Sequence, residues 1–193
     1  MRLPLVPVLA LALVAGCSAG RPPADGALPA DAPIEGVVLT PGIEPSHREG
    51  PIRYDRVPPV GGPHNPVWVR CEVYDTPVPA ELAVHALEHG GVWLAHAPDL
   101  ADAQVQRLAA LHELDATTHE YVLVSPDEEL LSPVVAVAWG ASLAVPSADD
   151  PRLLPFVRRY AGGAQGGEPG APCTSAPSAL DAEQARALVA AQS

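Results

Sequence analysis

The sequence predicts a single compact α+β domain, a mixed sheet with three main helices in the order β-α-β-α-β-β-α. Two observations carry that expectation. Val67 to Tyr74, Val92 to Ala95, Tyr121 to Val124 and Val134 to Trp139 are apolar or alternating runs of strand length, set off by Gly, Pro and acidic residues. Between and after them lie segments whose apolar residues recur at helical spacing, such as Val105, Leu108 and Leu111.

Taken in order, Gly36 to Leu39 is a short strand, and Pro41 to Pro66, dense in Pro, Gly and charge, is loop. Val67 to Tyr74 is the first main strand. Pro77 and Pro79 suit the start of a helix that ends at His89, where Gly90-Gly91 stops it. Val92 to Ala95 is a buried strand, and Asp99 caps a second helix through about Leu114. Tyr121 to Val124 and Val134 to Trp139 are strands joined by an acidic turn at Asp127-Glu128-Glu129, with Ser142 to Val145 extending the sheet. Asp150-Pro151 opens a third helix to Tyr160, with Leu153, Leu154 and Val157 inward and Arg158-Arg159 at its negative end. This is the element order of thioredoxin-like folds, although many α+β folds share parts of it.

The termini divide the chain further. Arg2 followed by the apolar run Leu3 to Ala15 is too short for a membrane span and reads as a signal peptide over residues 1–16. Val14-Ala15-Gly16-Cys17 resembles the bacterial lipobox, which implies cleavage before Cys17 and a diacylglycerol anchor on its sulfur. Residues 17–33, rich in Pro, Ala, Gly and Asp, form a disordered tether, and residues 34–175 form the globular domain. Residues 176–193 have a helical pattern with little to bury, which predicts a peripheral or frayed helix. The expected location is extracytoplasmic, on the cell membrane.

With 23 acidic residues, 11 basic residues that are all arginine, and a net charge of −12, the composition excludes nucleic acid as a partner and excludes charge-driven adhesion to anionic lipid. Attachment to the membrane rests on the lipid anchor. The absence of lysine together with 24 prolines is the signature of a GC-rich genome. Beyond Cys17 the chain has only Cys71 and Cys173, and an even pair in an exported chain predicts a disulfide.

The chemistry centres on Val84-His85-Ala86-Leu87-Glu88-His89-Gly90-Gly91. His85 and His89 stand four apart, so one helix face offers two imidazoles to a metal ion, with Glu88 placed to support a ring from behind. Gly61-Gly62-Pro63-His64 is a stiffened loop able to aim a further imidazole, and His47 lies in the same proline-rich region. The candidate metal set is therefore His64, His85, His89 and His47, for a divalent metal or copper ion whose identity imidazoles alone do not fix. His96, His112 and His119 read as surface or helix-face residues.

Several motifs together resemble one bacterial family. They are Ser46-His47 with Gly50-Pro51 and Tyr54; Pro58 to His64 followed by Trp68; Cys71 with Val73-Tyr74-Asp75 and Pro77-Val78; Val84 to Trp93; Ala138-Trp139-Gly140; and Glu168 to Cys173. The chain resembles the DUF3105 family, a domain of unknown function common in actinobacterial lipoproteins. Two positions depart from the pattern: Glu72 stands where Gly is usual after the cysteine, and His96 where an aromatic is usual. The resemblance implies an envelope lipoprotein, and the family name carries no activity, so the chemistry must come from the residues.

Three functional classes remain. The first is metal binding, handling or sensing in the envelope, with no catalytic residue assigned. The second is a structural or interaction module in which Trp68, Trp93 and Trp139 build the core and the histidines serve only its hydrogen bonds. The third is a zinc hydrolase, because His85-x-x-Glu88-His89 matches the inverted zinc-peptidase motif and Glu168 lies at a tempting separation for a third ligand.

Overall fold

The computed structural model describes residues 32–192. The signal peptide, Cys17 and most of the tether lie outside these residues. Among the described residues, no helix is long and apolar enough to cross a membrane.

The domain is α+β. Its main sheet comprises β1 (Val38–Leu39), β4 (Val92–His96), β5 (Val122–Pro126), β6 (Val134–Ala138) and β7 (Ala141–Val145), in the spatial order β1-β7-β6-β4-β5. Only β4 and β5 run parallel; β4–β6, β6–β7 and β7–β1 are antiparallel, which makes the sheet mixed. Every residue of β4, β5 and β6 is buried. These strands therefore read as continuous apolar runs rather than polar-apolar alternation, as expected for a sheet covered on both faces.

The period of two still sorts the side chains between two cores. Trp93, Ala95, Leu123, Val135 and Val137 pack with helix α1 (Ala80–Glu88). Val92, Leu94, Val122, Val124, Val134 and Ala136 pack on the other face against Leu108 of α2 (Asp102–His112) and against Leu153, Phe156 and Val157 of α4 (Leu153–Tyr160). The sheet thus separates α1 from α2 and α4.

Several local expectations need correcting. Residues 67–74 form no strand; they make only isolated bridges, Val69 to Leu180 and Val73 to Val124. Their N–H groups are divided among three neighbours, with Val69 bonded to the Leu82 carbonyl, Arg70 to Leu180 and Tyr74 to Val124. The alternation in this segment reflects side chains meeting different layers, so the first β of the expected order is absent as a ladder. Helix α2 begins after Ala101 rather than Asp99, because a turn closed by Leu100 N–H on the Ala97 carbonyl intervenes. Helix α4 begins at Leu153, with Asp150 engaged by Arg152 instead of capping, and Phe156 is buried more completely than Leu154.

A short helix, α3 (Ala116–Tyr121), escaped the sequence reading. Asp115 caps it by accepting from Thr117 and Thr118 N–H, while the Thr118 hydroxyl receives the Asp115 N–H. Helix α5 (Ala182–Ala191) is capped in the same manner by Asp181 and Gln184. It buries Ala182 and Ala185, and beyond its end Gln192 Oε1 accepts from Asn65 Nδ2 at 2.8 Å and from Gly50 N–H at 3.1 Å.

Cys71 and Cys173 form a disulfide with Cα atoms 5.5 Å apart, closing a loop across a sequence separation of 102. Both residues are fully buried. A loop of that length lowers unfolded-state entropy by about 4–5 kcal/mol at 25 °C. Cys71→Ser is expected to lower the unfolding free energy by up to about that amount. A urea titration of wild type and variant under non-reducing conditions measures it, and coincident midpoints would refute the assignment.

Candidate metal centre

The site is assembled from a proline-rich loop and one face of α1. A two-stranded parallel pairing joins β2 (Ser46–His47) to β3 (Pro63–His64), and its register sets His47 directly beside His64. Just before β3, Gly61 and Gly62 adopt φ of +136° and +105°, conformations that L side chains rarely tolerate. A Cβ on Gly61 would meet Ile43 and the Trp139 ring at 3.1 Å. The glycines thus deliver His64 under Trp139, where it is fully buried.

Helix α1 supplies His85 and Glu88. It is buried from Glu81 to Glu88, an unusual burden of polar groups for one helix. Gly90 ends it at φ +99°, with Gly90 N–H bonded to the Leu87 carbonyl and Gly91 N–H to Ala86. A Cβ at Gly91 would sit 2.5 Å from the Ala86 oxygen, so no other residue fits this stop.

Each buried imidazole is fixed by a backbone carbonyl. His64 Nδ1 lies 2.8 Å from the Gly62 oxygen, His85 Nδ1 2.7 Å from Asn65, and His89 Nδ1 3.1 Å from Pro172. A carbonyl only accepts, so each Nδ1 carries the proton and, in the neutral ring, Nε2 is left as a bare lone pair. That is the tautomer required of an Nε2 metal ligand, with the carbonyl in the orienting role.

Three of the rings lie close together. The rings of His47, His64 and His85 form a near-equilateral triangle, with centroids 5.0, 5.1 and 4.9 Å apart. An ion about 2.1 Å from each Nε2 lies about 3.2 Å from each centroid, and bond angles of about 90–109° then separate centroids by about 4.6–5.3 Å. The observed triangle falls inside that window. Glu88 completes the group: its Oε2 stands 2.9 Å from His64 Nε2 and 3.8 Å from His47 Nε2. One ligand atom from each of His47, His64, His85 and Glu88 lies within 4.8 Å of all the others.

His64 Nε2 and Glu88 Oε2 are both buried and neither has a hydrogen-bond partner. With a neutral His64 and an ionised Glu88 they are two lone pairs pressed together, a repulsive arrangement that a shared cation, or a proton held between the two atoms, relieves. Burial first, and then the neighbouring histidines, push the His85 pKa down to about 3 against the opposing Asn65 hydrogen bond, so His85 is neutral and ligand-competent at neutral pH. Burial likewise lowers the pKa of His89.

His89 belongs to a second group. Its Nε2 faces Glu168 Oε2 at 3.4 Å, and its ring is perpendicular to His85 at 4.7 Å. His85, His89 and Glu168 form a separate three-atom set, in which His89 does not join His64. The helix pair is thus divided between two groups that share His85. Glu88, expected behind the ligands, instead stands among them. Glu168, considered earlier only for hydrolysis, is carried to His89 by its N–H bond to the Glu88 carbonyl. The same loop presses Gly166 and Gly167 onto Glu88, where added Cβ atoms would lie 2.0 Å from its carbonyl oxygen and 2.5 Å from Oε1. The i+3 spacing of Glu88 from His85 is compatible with orienting a ring, ligating or acting as a base, and the structure groups it with the candidate ligands. His47 alone of the first group is half exposed.

Residues 46–175 match the family described as protein of unknown function (DUF3105), and the chain belongs to that family. No curated protein and no solved structure matches it. The family description states no activity, so the chemistry rests on the residues.

Because burial holds His85 and His89 below the 6.5 of an unfolded histidine, the unfolded chain binds more protons as pH falls below 6.5. Stability is therefore whole above that pH and falls below it, for His85 down toward pH 3 with a slope approaching about 1.4 kcal/mol per pH unit, while His89 adds in the same direction. Chelator-treated protein is expected to show this loss in urea midpoints between pH 7 and pH 4, and His85→Asn to flatten it. An unchanged slope in the variant would contradict the buried neutral state.

Proposed function

We propose that this protein binds one transition-metal ion, divalent or copper, through His47, His64, His85 and Glu88, and that it handles or senses that ion at the cell envelope. The observation that carries the reading is the pair His64 Nε2 and Glu88 Oε2, buried, unpartnered and 2.9 Å apart beside two further imidazoles. Three nitrogens and a carboxylate suit Zn, Fe, Ni or Cu. The half-exposed His47 leaves one side of the group open to solvent for exchange of the ion.

Hydrolysis draws less support. A peptidase of the inverted motif needs His85, His89 and a downstream carboxylate on one ion with Glu88 free to activate water. Here Glu88 is turned toward His64 and covered by Gly167. A purely structural role leaves the two facing lone pairs unexplained unless a proton is shared between His64 and Glu88.

Elemental analysis of the purified chain is expected to find about one equivalent of a transition metal. His64→Ala should weaken affinity by at least about 100-fold and Glu88→Gln by about 10–100-fold, whereas His89→Asn should change it little. Loss of the metal in His89→Asn but not in His64→Ala would favour the peptidase arrangement. No micromolar or tighter affinity for Zn or Cu would refute the site.

The lipobox-like Val14 to Cys17 motif supports membrane anchoring through lipid on Cys17. Fractionation of a Cys17→Ala variant is expected to move the protein into the medium or leave it unprocessed. Normal processing with full membrane retention would defeat this.

A further inference from the structure

Across the sheet from α1, a second cluster of metal-ligating side chains closes the end of α2. His112, the last residue of that helix, is buried, and its Nδ1 lies 2.8 Å from the Val122 carbonyl of β5. As with the histidines of α1, the carbonyl claims the Nδ1 proton and leaves Nε2 bare in the neutral ring. That nitrogen points at Glu113 Oε1, 3.5 Å away. The other carboxylate oxygen, Oε2, stands 3.7 Å from His119 Nδ1. The two rings are 4.7 Å apart, within the spacing a shared ion imposes on two imidazoles.

We propose that His112, Glu113 and His119 form a second binding site for a divalent transition-metal ion, separate from the α1 cluster. One ligand atom from each lies within 4.8 Å of the other two. Three features prepare it. The Val122 carbonyl orients the deepest ligand, the role a backbone acceptor plays behind a metal-bound histidine. The Asp115–Thr118 capping box fixes α3 and with it the position of His119. The unsatisfied carbonyls at the C-terminal end of α2 place partial negative charge beside the ion. Glu113 and His119 are both more than half exposed, so the site opens to water, which fills the remaining coordination positions. Two nitrogens and one carboxylate select Zn, Ni or Cu over Mg or Ca. With two mobile ligands, affinity is expected to be about tenfold or more below that of the α1 cluster.

The test is calorimetric titration of the metal-stripped full chain with Zn²⁺, repeated on His119→Ala and Glu113→Gln, whose exposed positions spare the fold. Wild type is expected to take up a weaker equivalent that is lost in His119→Ala and weakened about tenfold or more in Glu113→Gln. Co²⁺ substitution gives a second readout, since the weaker equivalent should add visible absorption bands absent from His119→Ala. A wild-type chain with no such equivalent, or one that persists unchanged in both variants, overturns the proposal. Failure of the α1 cluster would appear separately, as insensitivity to His64→Ala with the His119-dependent equivalent intact.

Discussion

The chemistry around α1 depends on which ring nitrogen carries the proton, and for the buried His64, His85 and His89 backbone carbonyls decide it. Gly62, Asn65 and Pro172 supply them, from the glycine loop, the segment after β3 and the tail beside Cys173. None of these segments is regular structure, so each must be held by other means. Asn65 N–H bonds to the Glu81 carbonyl, Asn65 Nδ2 reaches Gln192, and Cys173 is covalently tied to Cys71. The Trp68 indole donates to the Cys173 carbonyl while its ring packs on both His85 and His89. Loop geometry here is a consequence of long-range anchoring, and ring orientation is a consequence of loop geometry.

The cluster also sets the terms on which α1 can exist. A helix with Glu81, His85 and Glu88 buried forgoes much of the hydrophobic gain of its neighbours unless the polar atoms are matched. Glu81 is matched by the Ile52 N–H at 2.9 Å and His85 by Asn65. Beside these, the unmatched facing atoms of His64 and Glu88 mark a place where folding stability is given up locally. Two facing unmatched atoms of complementary metal-binding type, unlike the isolated unmatched atoms of His96 and Arg159, are a property of sites that bind something charged.

How much of this was legible depended on whether a signal was local. The strands from Val92 to Val145 were readable because their apolar runs are short and bounded, and α1 because Pro79 and Gly90 punctuate it. The cysteine pairing followed from counting. Residues 67–74 misled because alternation records burial, not hydrogen-bond partners, and their partners come from three separate elements. The capping box at Asp115 was a readable sign of α3, lost in a polar stretch without apolar periodicity. The helix pair was seen, yet its division between two groups was not, since the direction of His89 is set by Pro172, far away in sequence. His112 reads from the sequence only as a surface or helix-face residue of the second helix, because nothing local reveals that its ring will be buried against β5.

The return of the tail to the body has a consequence for biogenesis. His47, His64, His85 and Glu88 all leave the ribosome long before residues 166–173, which cover Glu88 and anchor His89. A nascent chain therefore carries the imidazoles without the enclosure that gives them one arrangement. The bond between Cys173 and Cys71, whose formation needs an oxidant, then fastens that enclosure covalently. Oxidation thus comes last, and before it the covering tail is held to the helix only by noncovalent contacts, such as Glu168 N–H on the Glu88 carbonyl and His89 Nδ1 on the Pro172 carbonyl.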